Sequence, residues 1–133
     1  MKSCCCLVIC LMVCALPIKA ISISFEEVDR RFGINSDLTD LQKKSEWKKN
    51  YKGKCVKWLG QLVYLDEDWF GGFNLGFKHK RDTFTYDVLV STPSSYEEKL
   101  ITMKNGNWYS YTIKLDDYAG VIMPITGHIG KCD

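Results

Sequence analysis

Between residues 54 and 129 the chain alternates apolar and polar positions in three successive stretches, breaks that rhythm once, and then resumes it twice. A two-residue period belongs to a strand with one buried face. The first stretch, 54–65, sets Val56, Trp58, Leu62 and Tyr64 on one side, the second sets Phe73, Leu75 and Phe77 inward, and the third Phe84, Tyr86, Val88 and Val90. After Pro93 the period changes. Ser94 with Glu97 three residues on has the form of a capping box, which predicts a helix from 94 to about 103, ended by Asn105-Gly106. Stretches 108–115 and 121–129 supply two more strands. The expected fold is therefore mainly β with short helices, a five-stranded closed barrel of order β-β-β-α-β-β.

Two helices are expected before the barrel. Ser24-Phe-Glu-Glu27 and Thr39-Asp-Leu-Gln42 are both capping-box patterns. The first helix ends at Gly33. The second runs to about Tyr51, and because Leu38, Leu41, Trp47 and Tyr51 do not fall on one stripe, it should pack through one end only. Gly60 lies inside the long first strand, where a glycine permits a sharp bend or bulge. Pro124 cannot donate to a ladder, so the last strand is an edge or is bulged there.

The first twenty residues read as an export signal. Lys2 is followed by the apolar run 4–16 and by Pro17-Ile-Lys-Ala20, a small-residue end suited to cleavage. Thirteen apolar residues are short of the roughly 20 needed to span a bilayer, so the expected location is secreted or extracytoplasmic. An uncleaved anchor, or a lipid on Cys14, are the alternatives. The expected division is 1–20 signal, 21–53 helical segment and 54–133 barrel, the last two forming one domain, with no membrane span once the signal is cleaved. Five of the seven cysteines lie in the signal, leaving Cys55 and Cys132, which in an oxidising compartment are read as one disulfide. Lys2 and Lys19 also leave, so the 18 basic residues become 16 against 16 acidic ones. A neutral domain has no long-range pull on a polyanion.

The strand order with a glycine-kinked first strand resembles the OB-fold. More narrowly, Trp47-Lys-Lys-Asn-Tyr-Lys-Gly-Lys-Cys-Val-Lys-Trp-Leu-Gly60, then Thr83-Phe-Thr-Tyr-Asp-Val-Leu-Val90, then Leu115-Asp-Asp-Tyr-Ala-Gly120 is similar to small OB-fold domains of the tRNA-anticodon-binding type. The resemblance implies a ligand lying across strands two and three, between the loop joining strands one and two and the loop joining strands four and five. The candidate ligand residues there are Asp66, Asp68, Trp69 and Phe70 in the first loop, and Asp116, Asp117 and Tyr118 in the second. Both loops are acidic, which repels a phosphodiester backbone. The outward residues Asn74, Lys78, Lys80, Thr85, Asp87 and Leu89 offer no aromatic ring to stack a base. The acids read either as residues that solvate turns or as oxygen ligands for a cation; no metal or cofactor is assigned.

Basic residues concentrate elsewhere. Lys43, Lys44, Lys48, Lys49, Lys52, Lys54 and Lys57 fall within fifteen positions. They form either a patch for an anionic ligand or an ordinary solvated helix face. His79 and His128 are expected at a hairpin end and a strand end, with nothing that places a nucleophile and an orienting carboxylate beside either. No catalytic residue is assigned. The expected function is a secreted, non-enzymatic OB-fold binding module with a protein or glycan ligand. Single-stranded nucleic-acid binding and a metal-dependent OB-fold nuclease are the alternatives.

Overall fold

Which residues can be hidden from water decides the architecture. In the structure, a computed structural model, residues 22–80, 85–118 and 124–132 are described; the expected export segment, and Phe84 of the third expected strand, lie outside them. Among the described residues five strands, β1 (Cys55–Glu67), β2 (Phe73–Lys78), β3 (Val88–Thr92), β4 (Trp108–Asp117) and β5 (Ile125–His128), close in the order β1-β2-β3-β5-β4. Neighbours are antiparallel except β3 and β5, which run parallel. This connectivity is compatible with an OB-fold.

The interior is filled by the period-2 residues: Val56, Trp58 and Leu62 from β1, Leu75 and Phe77 from β2, Val88 and Val90 from β3, and Tyr111, Ile113 and Leu115 from β4. Helix α1 (Phe25–Phe32) closes one side with Phe25, Val28 and Phe32, its N-terminus capped by Ser24, whose hydroxyl accepts the Glu27 N–H at 3.1 Å. Helix α2 (Asp40–Asn50) carries a reciprocal Thr39–Gln42 capping box. Its buried side chains are Lys43 and Trp47, and Trp47 stacks on Tyr51 at the C-cap, 5.7 Å away, while Leu41 stays exposed. The Trp47 indole N–H donates to the Asp116 carbonyl and the Trp58 indole N–H to the Ile23 carbonyl, at 3.2 and 2.9 Å. Cys55 and Cys132 are disulfide-bonded, as the sequence reading expects, with Cα atoms 5.9 Å apart.

Three expectations are corrected. Leu62 stands opposite Phe77, but Tyr64 stands opposite Gly76, so one extra residue is inserted in β1. Such a bulge reverses which side chains face inward. Tyr64 is consequently 37% exposed, and Leu65 takes its place against the core. The irregularity is thus beyond Gly60, which pairs regularly with Tyr109; its lack of a side chain admits the His79 ring, since a Cβ there would lie 2.8 Å from Nε2.

Tyr86 precedes β3 and lies outside the barrel, its ring over Gly76 and 5.5 Å from that of Tyr64. Gly76 sits between the inward-facing Leu75 and Phe77, so the face that Tyr86 covers is the outer one.

The expected ten-residue helix is a 3₁₀ turn (Ser94–Tyr96) followed by one α turn, α3 (Glu97–Leu100), and no Ser94–Glu97 capping box forms. Instead the Pro93 carbonyl accepts the Tyr96 N–H at 3.1 Å. With Leu100 its only buried residue, the segment has little packing to support further turns.

Candidate functional site

The β1–β2 loop is held tightly at its base and presents its apolar residues to water. Asp68 accepts the Trp69 N–H on Oδ1 at 2.7 Å, its own N–H donates to the Gly72 carbonyl at 2.7 Å, and its carbonyl accepts the Gly71 N–H at 3.2 Å. Gly71 has φ +90°, a backbone conformation that residues with a Cβ rarely adopt. At this tied-down tip Trp69 is 98% and Phe70 94% exposed. Asp66 and Glu67 end β1 on the exposed side, with Asp66 Oδ1 accepting the Glu67 N–H at 2.8 Å. Asp68 thus closes the turn, the role its chemistry favours at a strand end, whereas Asp66 is still part of β1, opposite Asn74.

Asp116 and Asp117, expected in the loop between the last two strands, are instead the final two residues of β4, because the β4–β5 ladder runs on to Asp117 opposite Thr126. Asp116 turns both carboxylate oxygens to His128 Nδ1 at 2.9 Å. A carboxylate therefore does stand beside one histidine, contrary to the sequence expectation, because β4 and β5 pair with Lys114 opposite His128. The other edge of that ring faces Gly130, where a Cβ would lie 3.2 Å from Nε2. Asp117 accepts the Tyr118 N–H at 2.8 Å. Tyr118 is no free stacking platform: its ring packs 5.1 Å from Phe32 and 5.3 Å from Trp47.

Register keeps the two loops apart. The β1–β2 loop ends where Phe73 pairs with Thr92, while the β4–β5 connection re-enters where Ile125 pairs with Val88. They therefore flank opposite ends of β3, about 13 Å apart along the strand at roughly 3.3 Å per residue. Asp66 and Asp68 are not brought to Asp116 and Asp117, and among the described residues no three His, Cys, Asp or Glu side chains gather as a metal site.

Of the seven lysines in the basic run, Lys43 does not belong to a surface patch. It is buried, with Nζ donating to the Gly33 carbonyl at 3.4 Å. Lys44, Lys48, Lys49, Lys52, Lys54 and Lys57 are exposed. Lys48 and Lys49 occupy the last turn of α2, where positive charge is favoured by the helix dipole. Lys57 is on the outer face of β1, opposite Thr112.

The outer face carries aromatic rings that the sequence reading does not place there. Tyr64 and Tyr86 cover β1 and β2 at Gly76. Trp108, 57% exposed, stands opposite Gln61 and helps line a shallow cavity of about 270 Å³ with Lys78, His79 and Lys80. Trp108 was legible, since Tyr109, Tyr111, Ile113 and Leu115 set the inward parity and leave 108 outward. Tyr64 and Tyr86 were hidden by the bulge and by the late start of β3. His79 is held by its surroundings: the ring stacks on Phe25 at 4.2 Å and Nε2 meets the Tyr111 hydroxyl at 2.5 Å. Lys80 pairs with Asp29 at 2.5 Å. Burial lowers the His79 pKa and pushes the Tyr111 hydroxyl well above the usual phenol range.

No protein-family model matches this chain, and no curated protein matches it.

Proposed function

We propose that this chain is an exported, non-enzymatic OB-type binding module that holds a protein or glycan partner through the β1–β2 hairpin tip. The observation that carries this is the adjacent pair Trp69 and Phe70, almost wholly exposed on a turn fixed by three hydrogen bonds of Asp68, which accepts on its carboxylate and carbonyl and donates through its N–H. Two large rings kept in water on a pre-set turn lose little entropy on docking and supply much apolar area. The flanking Asp66, Glu67 and Asp68 disfavour a phosphodiester or an anionic membrane and favour a partner with a basic rim. Export is supported by the apolar run 4–16 ahead of Ala20 and by the Cys55–Cys132 disulfide. Among the described residues no helix is long and apolar enough to cross a membrane. Pull-down from the extracellular fraction, compared between the wild-type chain and Trp69→Ala/Phe70→Ala, tests it. One partner lost from the variant alone supports the reading, and identical captures would refute it.

A second reading, single-stranded nucleic-acid binding in the manner of the anticodon-binding OB domains, is favoured by the outer-face rings of Tyr64, Tyr86 and Trp108, the last of them lining a cavity with Lys78. Stacking on such rings and salt-sensitive contacts to phosphate are its physical basis. Fluorescence anisotropy with labelled oligonucleotides at two salt concentrations separates the readings: affinity that falls with salt and with Trp108→Ala supports the second.

A further inference from the structure

The barrel wall has a gap along β4. Leu115 N–H donates to the Lys54 carbonyl and Leu62 N–H to the Asn107 carbonyl, each at 2.9 Å, which fixes the phase of the β1–β4 ladder at both ends. Antiparallel pairs alternate between bonded and non-bonded. Tyr109, Tyr111 and Ile113 therefore direct their backbone groups to β1, whereas Ser110 and Thr112, opposite Leu59 and Lys57, direct theirs to the other edge. On that edge β5 pairs only with Lys114, Leu115 and Asp117. The chain beyond His128 does not continue alongside. Ile129 bonds to the Ser91 carbonyl at 3.0 Å, and Cys132 is tied to Cys55, which stands opposite Lys114. Among the described residues the N–H and C=O groups of Ser110 and Thr112 are left as an unpaired strand edge.

Beneath this edge lies a cavity of about 520 Å³ with Leu75, Phe77, Leu100 and Met103 in its lining, a size that suits a binding site. Thr92 also lines it. That residue is 5% exposed, and its Oγ1 has no hydrogen-bond partner among the described residues. A buried hydroxyl without a partner is uncommon in a finished core. Lys99, its Nζ 5.6 Å from the centre of the Tyr96 ring, adds a positive charge to the same lining.

We propose that this gap takes up an extended peptide segment of a partner protein, laid along β4 as an added strand. An apolar side chain enters the cavity, a polar atom of the peptide meets the Thr92 hydroxyl, and an acidic side chain pairs with Lys99. A strand edge offers donors and acceptors in alternation, and an extended backbone carries the matching set. Successive side chains of such a strand point to opposite faces, so every second residue of the ligand faces the cavity. The site rests on the gap alone and does not depend on the hairpin tip.

Selection of a displayed library of random nonapeptides on the disulfide-bonded protein, followed by synthesis of the enriched sequences, tests it. N-methylation of the peptide should weaken binding at least tenfold at alternate residues only. Amide hydrogen exchange should slow at Ser110 and Thr112 on binding. Met103→Trp should abolish binding, and Thr92→Val, which removes the hydroxyl without changing the shape, should weaken it severalfold if the tryptophan variant fails to fold. Trp69→Ala/Phe70→Ala should bind the peptide as the wild-type chain does. A library that enriches nothing, peptides indifferent to Met103→Trp and Thr92→Val, or unchanged exchange at Ser110 and Thr112 would overturn the proposal.

Discussion

Thr92 shows what a single atom does in this barrel. Its hydroxyl is out of water with no partner among the described residues, and an orphaned buried group costs about 1–3 kcal/mol. Thr92→Val should therefore stabilise the free protein by about 1 kcal/mol and raise its melting temperature by a few degrees, which thermal denaturation would check. Trp58 works in the opposite sense. It is buried, stands edge-on to Phe25 at 5.6 Å and bonds to the Ile23 carbonyl. Trp58→Ala should cost about 3–5 kcal/mol, read as a lower urea midpoint. His79 makes stability depend on pH. Burial lowers its pKa, against the smaller opposing pull of the Asp87 and Glu26 carboxylates, so the unfolded chain binds a proton that the folded chain refuses. That contribution is complete above the ordinary imidazole value of about 6.5 and is lost as pH falls through it toward the lower folded-state value. His79→Gln should flatten the fall in stability between neutral and mildly acidic pH, measured by denaturation at a series of pH values.

At the scale of elements, β1 is one strand serving two neighbours, and the bulge between Leu62 and Tyr64 lets it do so. Before the bulge its even-numbered residues face the core; after it they face solvent, and the outer face acquires Tyr64 with Tyr86 lying over Gly76. A Cβ on Gly76 would stand 2.5 Å from the Tyr86 ring and 2.9 Å from Tyr64 Cβ. Gly76→Ala should cost about 1–3 kcal/mol by overpacking. Pairing it with Tyr86→Ala should recover part of that loss, because the ring is the nearer obstacle. A double-mutant cycle in urea would show this as non-additivity. Strand existence was legible from period 2 throughout, since that pattern reports burial directly. The bulge was not, because an inserted residue changes no residue type. The short α3 was overestimated for a related reason: Ser94 and Glu97 have capping chemistry, but one buried leucine gives a longer helix nothing to pack.

At the scale of the molecule, the disulfide ties residues 77 apart in sequence and pins the tail beside β1 and β4. In the chain-entropy account a loop of this size contributes about 4 kcal/mol. Cys55→Ser/Cys132→Ser should lose part of it and melt several degrees lower, seen in calorimetry under otherwise identical conditions. The same bond holds Cys132 beside Cys55, which stands opposite Lys114, and the β4–β5 pairing ends at Lys114 without reaching Ser110 and Thr112.

The sequence by itself determined the strand order, most of the inward-facing residues and the cysteine pair, because each depends on local period or on residue chemistry that survives in any context. It also marked Trp69 and Phe70 as loop aromatics. Only the tertiary structure decided which surfaces those residues form. Whether Tyr64 faces in or out depends on a register shift against β2, whether Tyr118 is free depends on Phe32 and Trp47 arriving from distant helices, and Asp116 meets His128 only because β5 lies beside β4. The gap along β4 is the extreme case: it exists because the β4–β5 pairing ends at Lys114, and cross-strand pairing leaves no trace in the order of residues along either strand.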